Sequence, residues 1–196
     1  MKKIMFNDRF GLTDAVLEGR KTVTRRIVTP QPEIFYNRSQ GFPAQNSDGR
    51  YICRLSKDDI GKTSYIKSHY QFGQVIAIAQ KYKDIIDYSH YTDKEIESIS
   101  KSAGWSNKMF VLSYLMPNQI EILDVRVERL QDITDEDCFK EGIESDCDNY
   151  FFRYDPNGDF IFTSPIDAFA ELIDKISGKG TWESNPYVFR YEFKLK

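Results

Sequence analysis

Lys21 and Thr24, three positions apart, are the residues whose types and spacing best suit chemistry. Burial or crowding by other cations loosens the proton of a lysine, and a neutral lysine can act as a general base towards a hydroxyl group. Ser–Lys pairs use this arrangement in hydrolases. The pair also needs a carboxylate that orients the lysine or relays a proton. The candidates follow the longest predicted strand: Asp135, Glu136, Asp137 and Glu141.

Three arginines accompany this pair within residues 19–26, namely Arg20, Arg25 and Arg26. Their positive charge would disfavour the protonated form of Lys21. Guanidinium groups also bind phosphate through paired hydrogen bonds, so these arginines are predicted to bind phosphate or nucleic acid. A structural interpretation stays open beside both roles, because basic clusters after a helix often form only its solvated last turn.

Composition narrows the class of protein. With 196 residues, 40% of them hydrophobic, and a net charge of −3, the chain can bury a core but cannot coat nucleic acid by overall charge. It has no apolar run of membrane-spanning length and no signal-peptide pattern at its start. Three cysteines without a CxxC spacing and two histidines, His69 and His90, predict neither a metal site nor a disulfide framework. We expect a soluble cytoplasmic protein without a metal or another cofactor.

Alternating and helical patterns indicate which elements position the pair. A short strand is predicted over residues 2–6, followed by a helix from about residue 8 that ends at Gly19. Residues 21–28 alternate and are predicted to be extended. Further strands are predicted over 51–55, 73–79, 119–128 and 187–195, and a helix over 92–102. Residues 29–50 are rich in turn formers and predict a long loop that closes in a hairpin at Asp48–Gly49.

Three local signals refine this order of elements. The alternation of residues 119–128 slips once, which predicts a β-bulge. Thr134 is predicted to cap a helix that runs to about Glu141 and ends at Gly142. Ser164 and Pro165 begin a helix up to Gly178, and its predicted inward side chains are Ile166, Phe169, Leu172, Ile173 and Ile176.

A β-hairpin is also predicted, with arms at 151–154 and 160–163 around a turn at 155–158. Strands outnumber helices, and nothing in the composition marks a domain boundary. The sequence therefore predicts a single α+β domain over residues 1–196, with a partly closed sheet.

Four segments resemble the ASCH domain family, whose fold is similar to the PUA RNA-binding domains. The first is residues 1–26, which include the signature Gly-Arg-Lys-Thr-Val-Thr-Arg-Arg at residues 19–26, and the others are residues 125–137, 141–143 and 178–188. They occur in the order found in longer bacterial members, which are often associated with phages or prophages. These four segments comprise about a quarter of the 196 residues.

This resemblance implies a PUA-like, partly closed β-barrel with helices packed around it, and a link to RNA or nucleotides. Short bacterial members include an amidohydrolase that removes the acetyl group from acetylcytidine with a lysine, a threonine and a glutamate. Their motif positions fall on Lys21, Thr24 and Glu141. The central strand departs from the family pattern, because Ala77, Ala79 and Gln80 replace a tryptophan, an arginine and a glutamate, and Asn118 stands where an arginine is common.

Three functions follow as hypotheses. The first is a pocket for RNA, a nucleotide or a modified nucleoside, built around Lys21, Thr24 and Glu141. The second is an amidohydrolase that deacylates a nucleoside such as acetylcytidine, with Thr24 as nucleophile, Lys21 as its base and Glu141 as the orienting or relaying carboxylate. The third is a non-enzymatic, phage-related interaction protein in which the basic stretch is structural.

Overall fold

A computed structural model describes residues 1–36, 49–58, 61–146, 148, 150–159 and 161–196 of the chain. Within these ranges the protein is a mixed α+β structure, as the sequence predicts. The strands are β1 (Lys3–Ile4), β2 (Val23–Ile27), β3 (Ile34–Phe35), β4 (Arg50–Arg54), β5 (Ser64–Lys67), β6 (Val75–Ile78), β7 (Gln119–Arg129), β8 (Glu144–Ser145), β9 (Phe152–Arg153) and β10 (Tyr187–Leu195). The helices are α1 (Leu12–Leu17), α2 (Tyr82–Ile85), α3 (Asp93–Ser100), α4 (Asp135–Lys140), α5 (Pro165–Ser177) and α6 (Thr181–Ser184). Single 3-10 turns lie at Asp8–Phe10, Tyr88–His90, Ala103–Trp105, Lys108–Phe110, Ser113–Leu115 and Leu130–Asp132.

A five-stranded sheet with the order β1-β6-β7-β10-β2 forms the centre of the fold. Only the β1–β6 pair is parallel. The long strands β7 and β10 lie in the middle, and β10 is buried on both faces, because Val188 and Arg190 alternate with Phe189 and Tyr191 and all four are buried. The two ends of the sheet, β1 and β2, do not pair with each other, so the described sheet is open.

A three-stranded sheet, β3-β4-β5, packs on one face of β10. Its aromatic rings meet those of the large sheet: Phe35 lies 5.0 Å from Tyr187, and Tyr51 lies 5.4 Å from Phe189. The Tyr51 hydroxyl also donates to the carbonyl of Val125 at 3.0 Å. Aromatic contacts and burial of apolar surface therefore join the two sheets.

The predicted bulge is present in β7. Asp124 pairs with Glu192 and Ile122 pairs with Phe193, which leaves Leu123 without a partner on β10. One extra residue moves the following side chains to the opposite face. Burial accordingly shifts from Ile120 and Ile122 to Val127, as the slip in the sequence pattern requires.

The predicted helix caps are confirmed at α4 and α5, and α3 has a cap of the same kind. The hydroxyls of Thr92, Thr134 and Ser164 accept hydrogen bonds from the amides of Glu95, Asp137 and Asp167. Of the predicted inward side chains of α5, three are buried (Phe169, Leu172 and Ile173), whereas Ile176 is exposed. Ile166 is partly buried against the core. This apolar face places α5 against the rest of the domain.

The first predicted helix is divided. Asn7 caps a 3-10 turn at Asp8–Phe10, and α1 begins only at Leu12. Gly11 separates the two with a φ of 62°, and a side chain there would lie 2.8 Å from Pro156. The apolar residues of this segment nevertheless face the core as the helical pattern predicts, since Phe10, Leu12 and Val16 are all buried.

Two predictions on loops need correction. The predicted loop over residues 29–50 contains β3 and the first residue of β4, because these segments add to a sheet that buries Phe35. Residues 37–48 lie outside the described ranges, and the hairpin predicted at Asp48–Gly49 lies partly among them. The predicted hairpin around residues 155–158 is reduced to a single bridge between Phe152 and Phe162.

The first arm of that hairpin pairs elsewhere. Arg153 and Phe152 pair with Glu144 and Ser145 of β8. The Arg153 guanidinium lies 2.7 Å from the Glu144 carboxylate, an ion pair that the turn pattern could not reveal. Phe160, in the second arm, lies outside the described residues. No helix in the described ranges has both the length and the apolar composition of a membrane-spanning segment.

Candidate functional site

A cavity of about 440 Å³ lies at the open end of the large sheet. Residues 5–7, which follow β1, form one side, and β2 forms another. Apolar side chains of α5 line a further wall: Phe169, Leu172, Ile173 and Ile176. Against this apolar lining, four polar side chains of the cavity are buried: Lys21, Thr24, Arg25 and Glu141. The three predicted catalytic residues thus line one cavity, and we call it the Lys21 cavity.

An ion pair between Lys21 and Glu141 lies in this cavity. Lys21 Nζ donates to Glu141 Oε2 at 2.5 Å and to the backbone carbonyl of the same residue at 2.7 Å. The Lys21 residue is only 2% exposed. Burial lowers the pKa of Lys21, and Arg26 and Arg25 lower it further, whereas Glu141 opposes the shift. Lys21 is therefore a buried amine that gives up its proton more readily than an exposed lysine.

Backbone hydrogen bonds position the two partners. The Lys21 amide donates to the carbonyl of Ala15 at the end of α1, and the Thr22 amide donates to the carbonyl of Lys140 at the end of α4. The last bond joins the signature stretch directly to the residue before Glu141. The chain then turns away at Gly142, whose φ is 105° and whose missing side chain leaves room for Leu12.

Thr24 lies on β2 in register with Tyr191 of β10. Its hydroxyl makes no hydrogen bond to any of the described residues, including Lys21. A general-base role would therefore require Lys21 Nζ to turn from Glu141 towards Thr24 when a ligand binds. Catalytic hydrogen bonds are often long or absent in ligand-free structures and tighten in the complex.

The free edge of β2 borders the same cavity. The Val28 amide donates to the carbonyl of Tyr187, and the Phe193 amide donates to the carbonyl of Thr22. The backbone amides and carbonyls of the even-numbered residues of β2 therefore point towards β10. The backbone amide of Arg25 consequently points away from the sheet, on the side where no described strand pairs. It is a hydrogen-bond donor next to the Thr24 hydroxyl, in a position suited to a ligand oxygen.

Arg25 is engaged by three carboxylates. Its Nε donates to Glu128 at 2.7 Å, its Nη1 to Glu141 at 3.2 Å, and its Nη2 to Asp137. The Arg25 side chain is 1% exposed. Phosphate binding was one sequence prediction for Arg25, but every nitrogen of its guanidinium already has an anionic partner, and the geometry instead gives it the task of holding Glu141.

Arg190 completes this network, and the sequence analysis missed it. It lies directly opposite Arg25 across the β2–β10 ladder, and it donates to both Asp137 oxygens at 2.9 and 3.0 Å. The sequence signal is an arginine between the aromatic residues Phe189 and Tyr191 of a strand. Asp137, one of four carboxylates considered from sequence, thus bridges two arginines rather than contacting Lys21.

The other two predicted phosphate ligands differ in their surroundings. Arg20 forms ion pairs with Glu18 and Glu144, at 2.7 and 3.2 Å, and does not line the Lys21 cavity. Arg26 lines the cavity, is exposed, and donates to the Met5 carbonyl at 2.6 Å. Among the described residues Arg26 has no carboxylate partner, so its charge remains available for an anion.

The departures from the ASCH pattern lie elsewhere. Ala77 and Ala79 are buried in a separate apolar cluster with Val111 and Met116. The Asn118 amide donates to Gln80 Oε1 at 2.7 Å, so these two replacements satisfy each other. None of the four departing residues lines the Lys21 cavity.

Acid should weaken the Asp137 bridge. Although burial raises the pKa of Asp137, hydrogen bonds from Arg190 and Arg25 lower it to about 2, from an ordinary value of 3.8. A depressed carboxyl pKa stabilises the fold above the unfolded value and loses this stabilisation as the pH falls towards the folded value. We expect the free energy of unfolding to fall by on the order of 1–2 kcal/mol between pH 4 and pH 2 through this group, after allowance for solvent screening. Urea denaturation at several pH values measures it, and Asp137→Asn should flatten the curve in this range. Equal slopes for both proteins would contradict the assignment.

Within the described ranges, no group of three or more His, Cys, Asp or Glu side chains is arranged to hold a metal ion. The site is thus a cavity with a buried Lys–Glu pair, an unpartnered threonine hydroxyl and a strand edge. Comparison of the chain with protein-family models, curated proteins and solved structures finds no match.

Proposed function

We propose that this chain is an ASCH-like protein whose Lys21 cavity binds RNA, a nucleotide or a modified nucleoside. One observation carries the proposal: buried polar groups from the signature stretch, β2 and the end of α4 converge on a cavity whose remaining lining is largely apolar. Such a cavity suits a ligand with a flat apolar face and a few hydrogen-bonding edges, as a nucleobase has. In this proposal the open sheet is a PUA-like, partly closed barrel, and the cavity occupies its gap.

Blocking the cavity tests the binding proposal. Ile176 lines the cavity and is 38% exposed, so that Ile176→Trp should fill the entrance without disturbing the core. Ile161→Trp is the matched control, because Ile161 is exposed and lies outside the cavity lining. Calorimetric titration with acetylcytidine, cytidine nucleotides and a short RNA should show an affinity loss of about tenfold or more for Ile176→Trp alone.

The outcomes are distinct. Equal affinity in wild type and Ile176→Trp would show that the ligand binds elsewhere. Failure of the wild-type protein to bind any of the three ligand classes would overturn the proposal and favour the interaction protein of phage biology.

A second candidate is hydrolysis of an N-acylated nucleoside such as acetylcytidine, with acetate as a product. It is favoured by the unpartnered Thr24 hydroxyl beside an amine whose pKa is lowered by burial. Neutral Lys21 would take the Thr24 proton while the hydroxyl oxygen attacks the acyl carbon. The Arg25 amide, at the free edge of β2, is placed to donate to the resulting oxyanion.

The remaining steps balance with water as co-reactant. Protonated Lys21 returns its proton to the leaving nitrogen, so the nucleoside amine departs and an acyl-threonine remains. Lys21 then takes a proton from water, whose oxygen attacks the acyl carbon, and passes this proton to Thr24 Oγ1 as the carboxylic acid leaves. Glu141 holds the Lys21 amine before it turns towards Thr24, and Arg25 holds Glu141 by its second oxygen. Both candidates use the same cavity, and only the second one requires turnover.

A further inference from the structure

The buried charges of the Lys21 cavity compensate one another. Lys21, Arg25 and Arg190 are the cations, and they contact four carboxylates: Glu128, Asp137, Glu141 and Glu192. Each cation has at least one anion within 3.2 Å. An anionic ligand group gains little in such an interior, because the positive charge there is already matched. The deep part of the cavity therefore favours a neutral moiety.

The rim of the cavity differs in its charge. Arg26 lines the cavity and lies with its guanidinium 6.0 Å from the ring centre of Phe6, which also lines it. Lys2 donates to the backbone carbonyl of His69 and lies 5.9 Å from the ring centre of Tyr70. Neither Arg26 nor Lys2 forms an ion pair with a carboxylate of the described residues. Arg26 and Lys2 are thus two cations without a carboxylate partner among the described residues, and Arg26 is the one that lines the Lys21 cavity.

The charges of Lys2 and Arg26 both act on the imidazole of His69. Its ring lies 4.6 Å from that of Tyr70, and Tyr70 packs at 5.2 Å on Tyr191, the partner of Thr24 in the β2–β10 ladder. Burial lowers the pKa of His69, and the charges of Lys2 and Arg26 lower it further. Arg26 also acts on Lys21 inside the cavity. The positive charge of Arg26 therefore acts both on the buried amine of Lys21 and on the imidazole of His69.

We infer that Arg26, Lys2 and His69 form a phosphate subsite at the rim of the Lys21 cavity. The inference rests on the proposed function, and it narrows the ligand from a neutral nucleoside to a phosphorylated one. The nucleobase occupies the compensated interior, and the phosphate lies among the rim cations, where charge-assisted hydrogen bonds and the release of counterions favour it. The phosphate belongs either to a mononucleotide or to the backbone of an RNA strand.

Affinities of matched ligands test this subsite. Cytidine, its 5′- and 3′-monophosphates and a short oligocytidylate are titrated into the full chain at low and at physiological ionic strength. We expect a monophosphate to bind about tenfold more tightly than cytidine at low salt, with the advantage shrinking as salt increases. Arg26→Met and Lys2→Met should each reduce the ratio of nucleotide to nucleoside affinity towards one. Lys101→Met, which removes an exposed cation paired with Glu97, should leave this ratio as in wild type.

His69 provides a second readout. The anion should raise the pKa of its imidazole, measured by NMR titration of the wild-type protein with and without cytidine monophosphate, because a negative charge favours the protonated ring. The charged and titratable groups that face this ring are Lys2, Arg26 and Tyr70. A His69 pKa that stays constant on saturation would place the phosphate elsewhere and overturn the subsite.

Failure of the subsite and failure of the binding proposal give different results. If cytidine binds and none of its phosphorylated forms binds more tightly, the phosphate subsite is wrong and the cavity still binds nucleosides. If only the oligocytidylate gains affinity through Arg26 and Lys2, the subsite holds and takes the phosphate of a strand. If no probe binds, both proposals are wrong.

Discussion

Replacement of Thr24 by valine should abolish amide hydrolysis and leave the fold intact. The substitution removes only the hydroxyl group, which makes no hydrogen bond to the described residues, and keeps a branched side chain suited to a strand. We expect kcat/KM for release of acetate from acetylcytidine to fall at least about 1,000-fold, because the nucleophile is lost. The melting temperature should stay within about 2 °C of wild type or rise. Acetate is quantified by NMR, and unfolding by calorimetry.

Thr22→Val is the control for this experiment. Thr22 belongs to the same stretch, is half-buried, and does not line the Lys21 cavity. The Thr22→Val protein should release acetate from acetylcytidine at the wild-type rate. Lys21→Ala should also lose turnover, but it removes a buried charge from Glu141 and so affects stability as well. A Thr24→Val protein that still releases acetate would exclude Thr24 as the nucleophile, and a wild-type protein without turnover would leave the cavity as a binding site.

Replacement of Arg25 by alanine should cause a large loss of stability. It leaves three carboxylates, Glu128, Asp137 and Glu141, without a cation that contacts all of them. Breaking a buried ion pair by removing one partner costs about 3–5 kcal/mol. We expect a decrease of this size in the free energy of unfolding, measured by urea denaturation at pH 8. The deficit should shrink as the pH falls towards 5, because burial raises the pKa of Glu128 and its protonation removes a charge that Arg25 no longer balances.

Two comparisons separate this network from ordinary surface charge. Lys101→Ala breaks an exposed pair with Glu97 and should cost less than about 0.5 kcal/mol. Arg25→Lys should recover only part of the loss, because an ammonium group cannot reach three carboxylates in the geometry of the planar guanidinium. A deficit below about 1 kcal/mol for Arg25→Ala would mean that Arg190 alone can hold the acidic groups.

Local signals in the sequence predicted much of the architecture. Thr134 and Ser164 predicted helix starts, because the hydrogen bond from the third amide of the helix to the capping hydroxyl is a short-range contact. The break in alternation between Ile122 and Val125 predicted the bulge, because successive side chains of a strand point to opposite faces of the sheet. Residue types and spacing selected Lys21 and Thr24, and the motif resemblance selected Glu141 among four carboxylates. The structure brings all three together in one cavity although 120 positions separate Lys21 from Glu141.

Local sequence patterns could not predict the contacts between residues that are far apart along the chain. The opposition of Arg25 and Arg190 depends on the register of two strands 165 positions apart along the chain, so sequence spacing could not assign Asp137 to both. The same limit applies to β9, whose partner is decided by an ion pair between Arg153 and Glu144. Turn composition alone favoured the sequence neighbour instead.

The free edge of β2 has a consequence for solubility. An unpaired strand edge is a template to which a second chain can add a strand, and natural proteins cover or interrupt such edges. Here α5 lies across the cavity from β2, and the side chains of Arg25 and Arg26 leave the strand on its two faces. A cavity walled by α5, rather than open solvent, thus borders part of the β2 edge. We expect this arrangement to oppose the addition of a strand from another molecule, and the edge amide of Arg25 remains without a strand partner among the described residues.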